Sequence, residues 1–168
     1  MKLPEDIQNL QKIPNRENHK CFACSPMNSA GLKMVFFTNG ESVVSEFRIP
    51  EHLCGWDDIV HGGIISTILD ETMSWSSIYL LKRFILTQSM KVNFIKPIFT
   101  GRVSYSQGRI KRMLNPRKAV VEAYLYNEKK ELCASSRGIF VLYTTEQARR
   151  RHFFSDELID SYLFIMNS

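Results

Sequence analysis

One stretch of sequence, from His61 to Glu71, constrains the fold more than any other. It reads His-Gly-Gly-Ile-Ile-Ser-Thr-Ile-Leu-Asp-Glu, and apolar residues interleaved with serines continue from there to Leu81. A helix that is apolar on nearly all sides is usually enclosed by the rest of the fold. The stretch therefore predicts a long buried helix from about Gly63 to Arg83.

Two glycines and two acids are the candidate functional residues of this predicted helix. Amides at a helix start point outward and carry partial positive charge, so those of Gly62 and Gly63 suit a carbonyl oxygen that gains negative charge. The alternative is that the two glycines only permit close packing. Asp70 and Glu71 lie among apolar residues of this helix. An acid in such surroundings must be paired, exposed at an interface, or functional.

Short β patterns flank the helix and predict an antiparallel sheet. Before it, Asn39-Gly40 predicts a hairpin turn between two strands, and after it four further strands follow. The predicted strands cover 32–38, 42–49, 84–95, 103–113, 119–126 and 132–143. An antiparallel sheet on one apolar helix is an α+β architecture. One helix cannot cover so large a sheet, so we expect a second copy of the chain to cover the rest.

The two ends of the chain differ from the middle. Leu3, Ile7, Leu10 and Ile13 recur at helical spacing and predict a short amphipathic helix before Pro14. From Thr144 onward the pattern is again helical, with an apolar end. We therefore divide the chain into an N-terminal helical lead-in (1–20), a main domain (21–143) and a C-terminal helical extension (144–168).

Composition sets only loose limits on function. The chain has 168 residues, a hydrophobic share of 44% and a net charge of +5, which fits one globular domain. That charge suits an acidic ligand such as a phosphorylated cofactor, or simply a solvated surface. No apolar run is long enough to span a bilayer and no signal-peptide pattern opens the chain, so we expect a cytoplasmic protein. The basic segments lack interleaved aromatics, so we expect no nucleic-acid partner.

The cysteines offer at most half of a metal site. Cys21-Phe-Ala-Cys24 has metal-ligand spacing, but no second CxxC or CxxH follows it. One half-site cannot make a closed zinc site within one chain. We expect these two residues, with Cys54 and Cys133, to be free and reduced.

The element order, the His61-Gly62-Gly63 motif, and Asp70 nine places after His61 resemble the hotdog-fold acyl-CoA thioesterases. The closest resemblance is to their phenylacetate-pathway (PaaI-like) branch. It covers about residues 21–143 and implies a six-stranded antiparallel sheet wrapped around one long central helix. It also implies hydrolysis of a coenzyme A thioester, a homodimer or dimer of dimers, and no metal. No cofactor is implied beyond the coenzyme A of the substrate.

The loop before the first hairpin carries part of this resemblance. Cys21-Phe-Ala-Cys24, followed by Asn28 and Gly31-Leu32, is similar to the lead-in of the PaaI-like branch. In that branch glycine commonly follows the second cysteine, whereas Ser25 stands here. The segment from 144 to 168 lies outside the shared fold.

The resemblance implies a role for Asp70 as general base or nucleophile against a thioester carbonyl, with Gly63 and Gly62 polarising that carbonyl. His61 would orient substrate or water, or would simply cap the helix. Thr87 occupies the position of a hydroxyl that holds the attacking water in some relatives, although a plain strand residue is the stronger alternative. Glu71 points about 100° away from Asp70 on the helix, and we expect it to be structural.

Substrate contacts are predicted from basic and aromatic residues. Arg109, Lys111 and Arg117 belong to a basic hairpin around Asn115-Pro116 that suits coenzyme A phosphates, or is merely solvated. Arg137 and Gly138, in the middle of the last strand, and Trp75, as a pocket residue, complete the substrate-binding set.

Helix geometry gives an independent reason to expect a dimer. Gly63 and Asp70 are seven residues apart, which is about 10 Å along one helix. Both cannot contact one carbonyl group, so the amide and the acid of one site must come from different chains.

A non-catalytic acyl-CoA binder and a hotdog hydratase remain alternative functions. The sequence leaves open the acyl group, the choice between coenzyme A and a carrier protein, and dimer against tetramer.

Overall fold

The computed structural model describes residues 3, 7 and 9–167, which form one long helix against an antiparallel sheet. The strands are β1 Gln11–Lys12, β2 Phe37–Thr38, β3 Val43–Arg48, β4 Cys54–Trp56, β5 Ile59–Val60, β6 Phe84–Phe94, β7 Val103–Asn115, β8 Lys118–Tyr126 and β9 Leu132–Tyr143. The helices are α1 Gly62–Leu81, α2 Thr145–Arg151, α3 Asp156–Ser161 and α4 Leu163–Met166. The predicted α+β class and the hotdog arrangement of sheet around helix are confirmed.

The main sheet runs in the order β1-β2-β3-β7-β8-β9-β6, with every neighbouring pair antiparallel. Alternation in β8 defines its inner face, because Ala119, Val121, Ala123 and Leu125 are all 0% exposed. The sheet ends at β6, which pairs only with β9 among the described residues.

The helix α1 lies unusually close to β7 because one strand residue has no side chain. A Cβ added at Gly108 would lie 2.4 Å from Ser76 Oγ and 2.9 Å from the carbonyl oxygen of Thr72. The Thr72 hydroxyl donates to its own helix at Ile68 O (2.7 Å) and lies 2.8 Å from Ser106 Oγ on β7. The small polar residues of α1 thus satisfy their hydrogen bonds inside the core while letting the helix approach.

Seven strands replace the predicted six because β1 joins the sheet edge. The predicted strand over 32–38 is mostly unpaired in the sheet, and only Phe37–Thr38 joins it. The preceding residues instead bond to the cysteine loop, through Leu32 N to Phe22 O and Met34 N to Ala23 O, both at 2.9 Å. The predicted loop over 50–58 contains β4, which pairs with β5 just before α1.

The predicted N-terminal helix is wrong where it can be checked. Residues 1, 2, 4–6 and 8 of that segment lie outside the described residues, and 9–20 contain no helix. Gln11–Lys12 pair with β2 instead, and Ile13 N donates to Phe36 O at 2.8 Å. Pairing with an open sheet edge satisfies these backbone groups, and Ile13 is buried in the core.

The C-terminal segment is helical, as predicted, and packs on the domain. Thr144 caps α2 in a capping box with Gln147. Ile159 is fully buried beside Phe84 and Tyr143, at the joined ends of β6 and β9. Ile159 and Ile165 of the apolar end are therefore covered within the same chain, whereas Phe164 is 46% exposed. No helix of the described part is both long enough and apolar enough to cross a membrane.

Candidate active site

The structure brings Asp70 and Thr87 together. Asp70 lies on α1, and its Oδ1 accepts a hydrogen bond of 2.8 Å from Thr87 Oγ1 on β6. Asp70 is half-buried and Thr87 is exposed. Burial raises the pKa of the Asp70 carboxyl, and the bond from Thr87 opposes that rise. The pair thus presents a desolvated carboxylate, held in place by a hydroxyl, at an open edge of the sheet.

A β-bulge aims Thr87 at the helix. On β6, Thr87 pairs with Phe140 and Ser89 pairs with Ile139, so the register shifts at Gln88. A bulge bends its strand and re-aims the side chains beside it. This bulge could not be predicted from the sequence, because no glycine or proline marks it within the long β pattern.

His61 caps the start of α1. Its backbone N–H donates to Leu53 O at 3.1 Å, and its Nδ1 accepts the Gly63 amide at 2.9 Å. The capping alternative for His61 is therefore seen directly. Because the Gly63 amide is engaged in this way, it can meet a carbonyl oxygen only if the imidazole moves.

The Gly62 amide has no hydrogen-bond partner among the described residues. Gly62 occupies the first helical position, where the N–H has no intrahelical acceptor. An added Cβ there would lie 3.7 Å from the ring of Phe94, which is 59% exposed on β6. The structure thus leaves the Gly62 amide available to a ligand, whereas the Gly63 amide already donates to the His61 ring.

Glu71 faces away from Asp70, toward the cysteine loop. Its Oε1 accepts a hydrogen bond of 3.0 Å from Trp75 Nε1 and lies 3.8 Å from Cys21 Sγ. Burial, with Cys21 nearby, raises the pKa of Glu71 to about 7. The hydrogen bond from Cys24 lowers the pKa of Cys21, while that same bond and burial raise the pKa of Cys24.

Trp75, which we predicted to line the substrate pocket, lies on a different side of α1 from Asp70 and borders the cavity of about 430 Å³ next to Cys24. It is 2% exposed and stacks on Phe36 with the ring centres 5.4 Å apart. The centre of the Tyr162 ring lies 6.2 Å from that of Trp75. Trp75 is five positions after Asp70, so the two side chains point about 140° apart on the helix. Trp75 therefore serves the core and the Glu71 carboxylate. A single sequence gives helical spacing, but not which face meets the ligand.

Three predicted basic residues gather around an acid that the sequence analysis did not single out. The Glu122 side chain, 6% exposed, lies 3.1 Å from Arg109, 3.7 Å from Lys111 and 2.7 Å from Arg137. Burial by itself would raise the pKa of Glu122, but hydrogen bonds from Arg137 and Arg109 hold it below its ordinary value. An acid in the middle of an otherwise buried strand was the available signal for this ion cluster.

A cavity of about 390 Å³ adjoins this cluster on the outer face of the sheet. Its lining includes Lys111, Arg137 and Gly138, together with Ser89, which follows Thr87 on β6. Arg117, at the turn between β7 and β8, is exposed and does not line this cavity. The structure thus groups Lys111, Arg137 and Gly138 of the predicted substrate-binding set, whereas Arg117 stands apart from them.

Comparisons with known proteins relate this chain to one family and one fold. The thioesterase superfamily matches residues 58–134, from just before β5 into β9. One relative is the Saccharolobus solfataricus protein SSO1253, whose description as an esterase is provisional. It is 29% identical over 117 residues, covering 69% of this chain and 76% of that protein.

Two of the solved structures that share the fold illustrate the similarity. The Escherichia coli PaaI protein of the phenylacetic acid degradation operon has a TM-score of 0.57 and 15% identity, covering 65% of this chain and 77% of its own. The smu.793 protein of Streptococcus mutans, bound to acetyl-CoA, has a TM-score of 0.58 and 15% identity, covering 84% and 94%. The matched segment spans α1 and the strands β6 to β8, and over it this chain is similar to the thioesterase superfamily.

Proposed function

We propose that this protein hydrolyses an acyl thioester of coenzyme A. The observation that carries the proposal is the pairing of Asp70 with Thr87, 2.8 Å apart, on the helix that opens with His61-Gly62-Gly63. A half-buried carboxylate with a fixed orientation is a competent general base or nucleophile. The acetyl-CoA held by the Streptococcus mutans protein of the same fold supports this class of substrate.

In the proposed reaction, the thioester oxygen binds at the Gly62 amide, and at the Gly63 amide if His61 turns aside. Asp70 takes a proton from water, which attacks the carbonyl carbon, or attacks that carbon directly to give an anhydride that water opens. Thr87 keeps the carboxylate in position. The thiolate of coenzyme A leaves and takes up a proton, which gives the free acid and the thiol.

The proposed site requires two copies of the chain. Gly62 and Asp70 lie on the same helix, too far apart to meet one carbonyl group. The strand β6, which carries Thr87, is an edge strand of 11 residues with Leu86 and Phe94 exposed. A long exposed edge favours pairing with another strand. We propose that β6 pairs with β6 of a second copy and brings the helix start of one protomer to Asp70 of its partner.

The cavity beside the Glu122 cluster fits the phosphate groups of coenzyme A. Lys111, Arg112 and Arg137 line it, and Arg137 has a side chain that is 64% exposed. Glu122 takes up part of the charge of Lys111 and Arg137 and fixes their positions, which leaves a basic rim next to the strand that carries Thr87.

The test is thiol release from a panel of acyl-CoA substrates, followed with a thiol-reactive dye. Asp70→Asn keeps the shape and removes the base, so we expect kcat to fall about a hundredfold or more with a modest change in KM. Asp156→Asn, which changes an exposed acid on α3, is the matched control and should retain wild-type kinetics.

The outcomes separate the competing functions. Full activity of Asp70→Asn would contradict the assigned role of the acid. A wild-type protein that binds acyl-CoA without releasing thiol would favour the alternative of a non-catalytic binder or sensor.

A further inference from the structure

We propose that Cys21, Cys24 and Glu71 form a binding site for one divalent transition-metal ion, with zinc(II) as the best match. The two Sγ atoms and a carboxylate oxygen lie within 4.8 Å of one another, and Cys21 Sγ is 3.8 Å from Glu71 Oε1. Zinc bonds of about 2.3 Å to sulfur and about 2.0 Å to oxygen place such ligands about 3.5 Å apart in a tetrahedral site. Small side-chain adjustments are therefore enough to close the three ligands on an ion.

The loop that carries the two sulfur atoms is held by its own hydrogen bonds. Ser25 N donates to Cys21 O at 3.3 Å, which turns the CxxC segment, and Asn15 Nδ2 donates to Cys24 O at 3.0 Å. A Cβ at Gly31 would lie only 2.4 Å from Phe22 O, so glycine is needed for the chain to pass close to this loop. Both thiols are thus preorganised on one side of α1.

The carboxylate is held by a neighbour one turn along the helix. Trp75 Nε1 donates to Glu71 Oε1 at 3.0 Å, and the indole ring is itself fixed by stacking on Phe36. Outer partners of this kind orient metal ligands and support their affinity. Glu71 is the ligand that the sequence alone could not supply, because its distance along the chain from the CxxC hides their contact in the fold.

The ligand set selects the kind of metal. Two thiolates and one carboxylate favour zinc over magnesium or calcium, which prefer oxygen ligands alone. Three protein ligands leave a fourth position for water or a small ligand. Cys24 borders a cavity of about 430 Å³ that is also lined by Arg16. The three ligands and the ion carry a net charge of −1, which a guanidinium beside the site can balance.

The metal would join the loop that precedes the first hairpin to the central helix, one residue after Asp70. Arg16, Tyr162 and Trp75 lie in a row beside the site, with the Arg16 guanidinium 5.4 Å from the centre of the Tyr162 ring and the centres of the Tyr162 and Trp75 rings 6.2 Å apart. The proposal departs from our expectation of free cysteines and no metal, which considered the CxxC by itself.

The experiment is a titration of the full reduced chain, kept in a phosphine reductant, with cobalt(II) as the spectroscopic probe and zinc(II) as the competitor. We expect about one cobalt(II) per chain, with the near-ultraviolet charge-transfer absorption of thiolate ligands, and displacement by zinc(II). Cys21→Ser and Cys24→Ser should abolish that absorption, and Glu71→Gln should weaken binding about tenfold or more. Cys54→Ser, which changes an exposed cysteine outside the site, should behave as the wild type.

The wild-type titration decides the proposal even if a variant fails to fold. Absence of thiolate-to-cobalt absorption in the reduced wild type would overturn it. So would an unchanged spectrum in folded Cys21→Ser and Cys24→Ser. Zinc(II) that raises the melting temperature of the wild type and of Cys54→Ser, but not of the other two cysteine variants, would support it.

Discussion

Thr87 Oγ1 lies 2.8 Å from Asp70 Oδ1, which joins the edge strand of the sheet to the central helix. The contact links the proposed catalytic acid to a residue with two predicted roles, either a hydroxyl that helps to hold the attacking water or, as the stronger alternative, a plain strand residue. Because the hydroxyl donates to the carboxylate, it fixes the direction in which the free oxygen of Asp70 faces.

We expect Thr87→Val to lower kcat about tenfold or more. A hydrogen bond to a charged group is worth about 1.5–3 kcal/mol, and about 1.4 kcal/mol of transition-state energy is a factor of ten. The measurement is steady-state thiol release. Thr87→Ser restores the hydroxyl and should recover most of the activity, whereas an equal loss in both variants would argue that the methyl group matters instead.

His61 gives a prediction about stability. Its Nδ1 caps the Gly63 amide, and loss of a capping side chain costs about 1 kcal/mol. His61→Ala should therefore lower the melting temperature by about 3 °C for a chain of this size. His61→Asn retains a capping oxygen and should melt close to the wild type in calorimetry. A fully stable but inactive His61→Asn would show that the imidazole acts on substrate.

Much of this architecture could be predicted from residue patterns. The boundaries of α1 follow from its long apolar run after two glycines, and those of β6 to β9 follow from β-forming residues bounded by turn signals such as Asn115-Pro116. The acid pair at positions 70 and 71 was recognised for the same reason, because both stand in an apolar helix.

Long-range contacts could not be predicted in this way. Nothing local indicates that Gln11–Lys12 find the sheet edge, or that Glu71 meets the cysteine loop. The hydrogen bond from the Gly63 amide to the His61 ring could not be predicted either. It is the reason why Gly62, and not Gly63, has the available amide.

Glu122 predicts a stability difference in acid. Its pKa is held below the ordinary value, so its ion cluster stabilises the fold above about pH 4.3 and this contribution is lost as pH falls through the folded-state pKa. Glu122→Gln should lower the free energy of unfolding by about 1–3 kcal/mol at neutral pH. The gap to the wild type should shrink below about pH 4, as measured by urea unfolding at several pH values.

The control for this comparison is Glu131→Gln, which removes an acid from an exposed pair with Lys96. That variant should differ little from the wild type at any pH, because exposed ion pairs contribute little. A gap for Glu122→Gln that stayed constant down to pH 3 would contradict the ionic origin of the effect.

Gly62→Pro tests the free amide at the start of α1. Proline is well tolerated at the first helical position, and His61, with ψ of 136°, already has the extended backbone that must precede proline. The change removes the N–H without removing a hydrogen bond seen among the described residues. We expect a folded protein with kcat lowered about a hundredfold or more, as for loss of an oxyanion donor. Gly62→Ala retains the N–H and should remain active.

Mixing this variant with Asp70→Asn tests whether two protomers share each site. Each variant by itself should be nearly inactive. In a mixed dimer, one of the two sites receives an intact helix start from one chain and an intact Asp70 from its partner. Refolding an equal mixture should restore about a quarter of the wild-type activity, because about half of the dimers are mixed and each has one complete site. If each chain held a complete site of its own, the mixture would show only the mean of the two inactive variants.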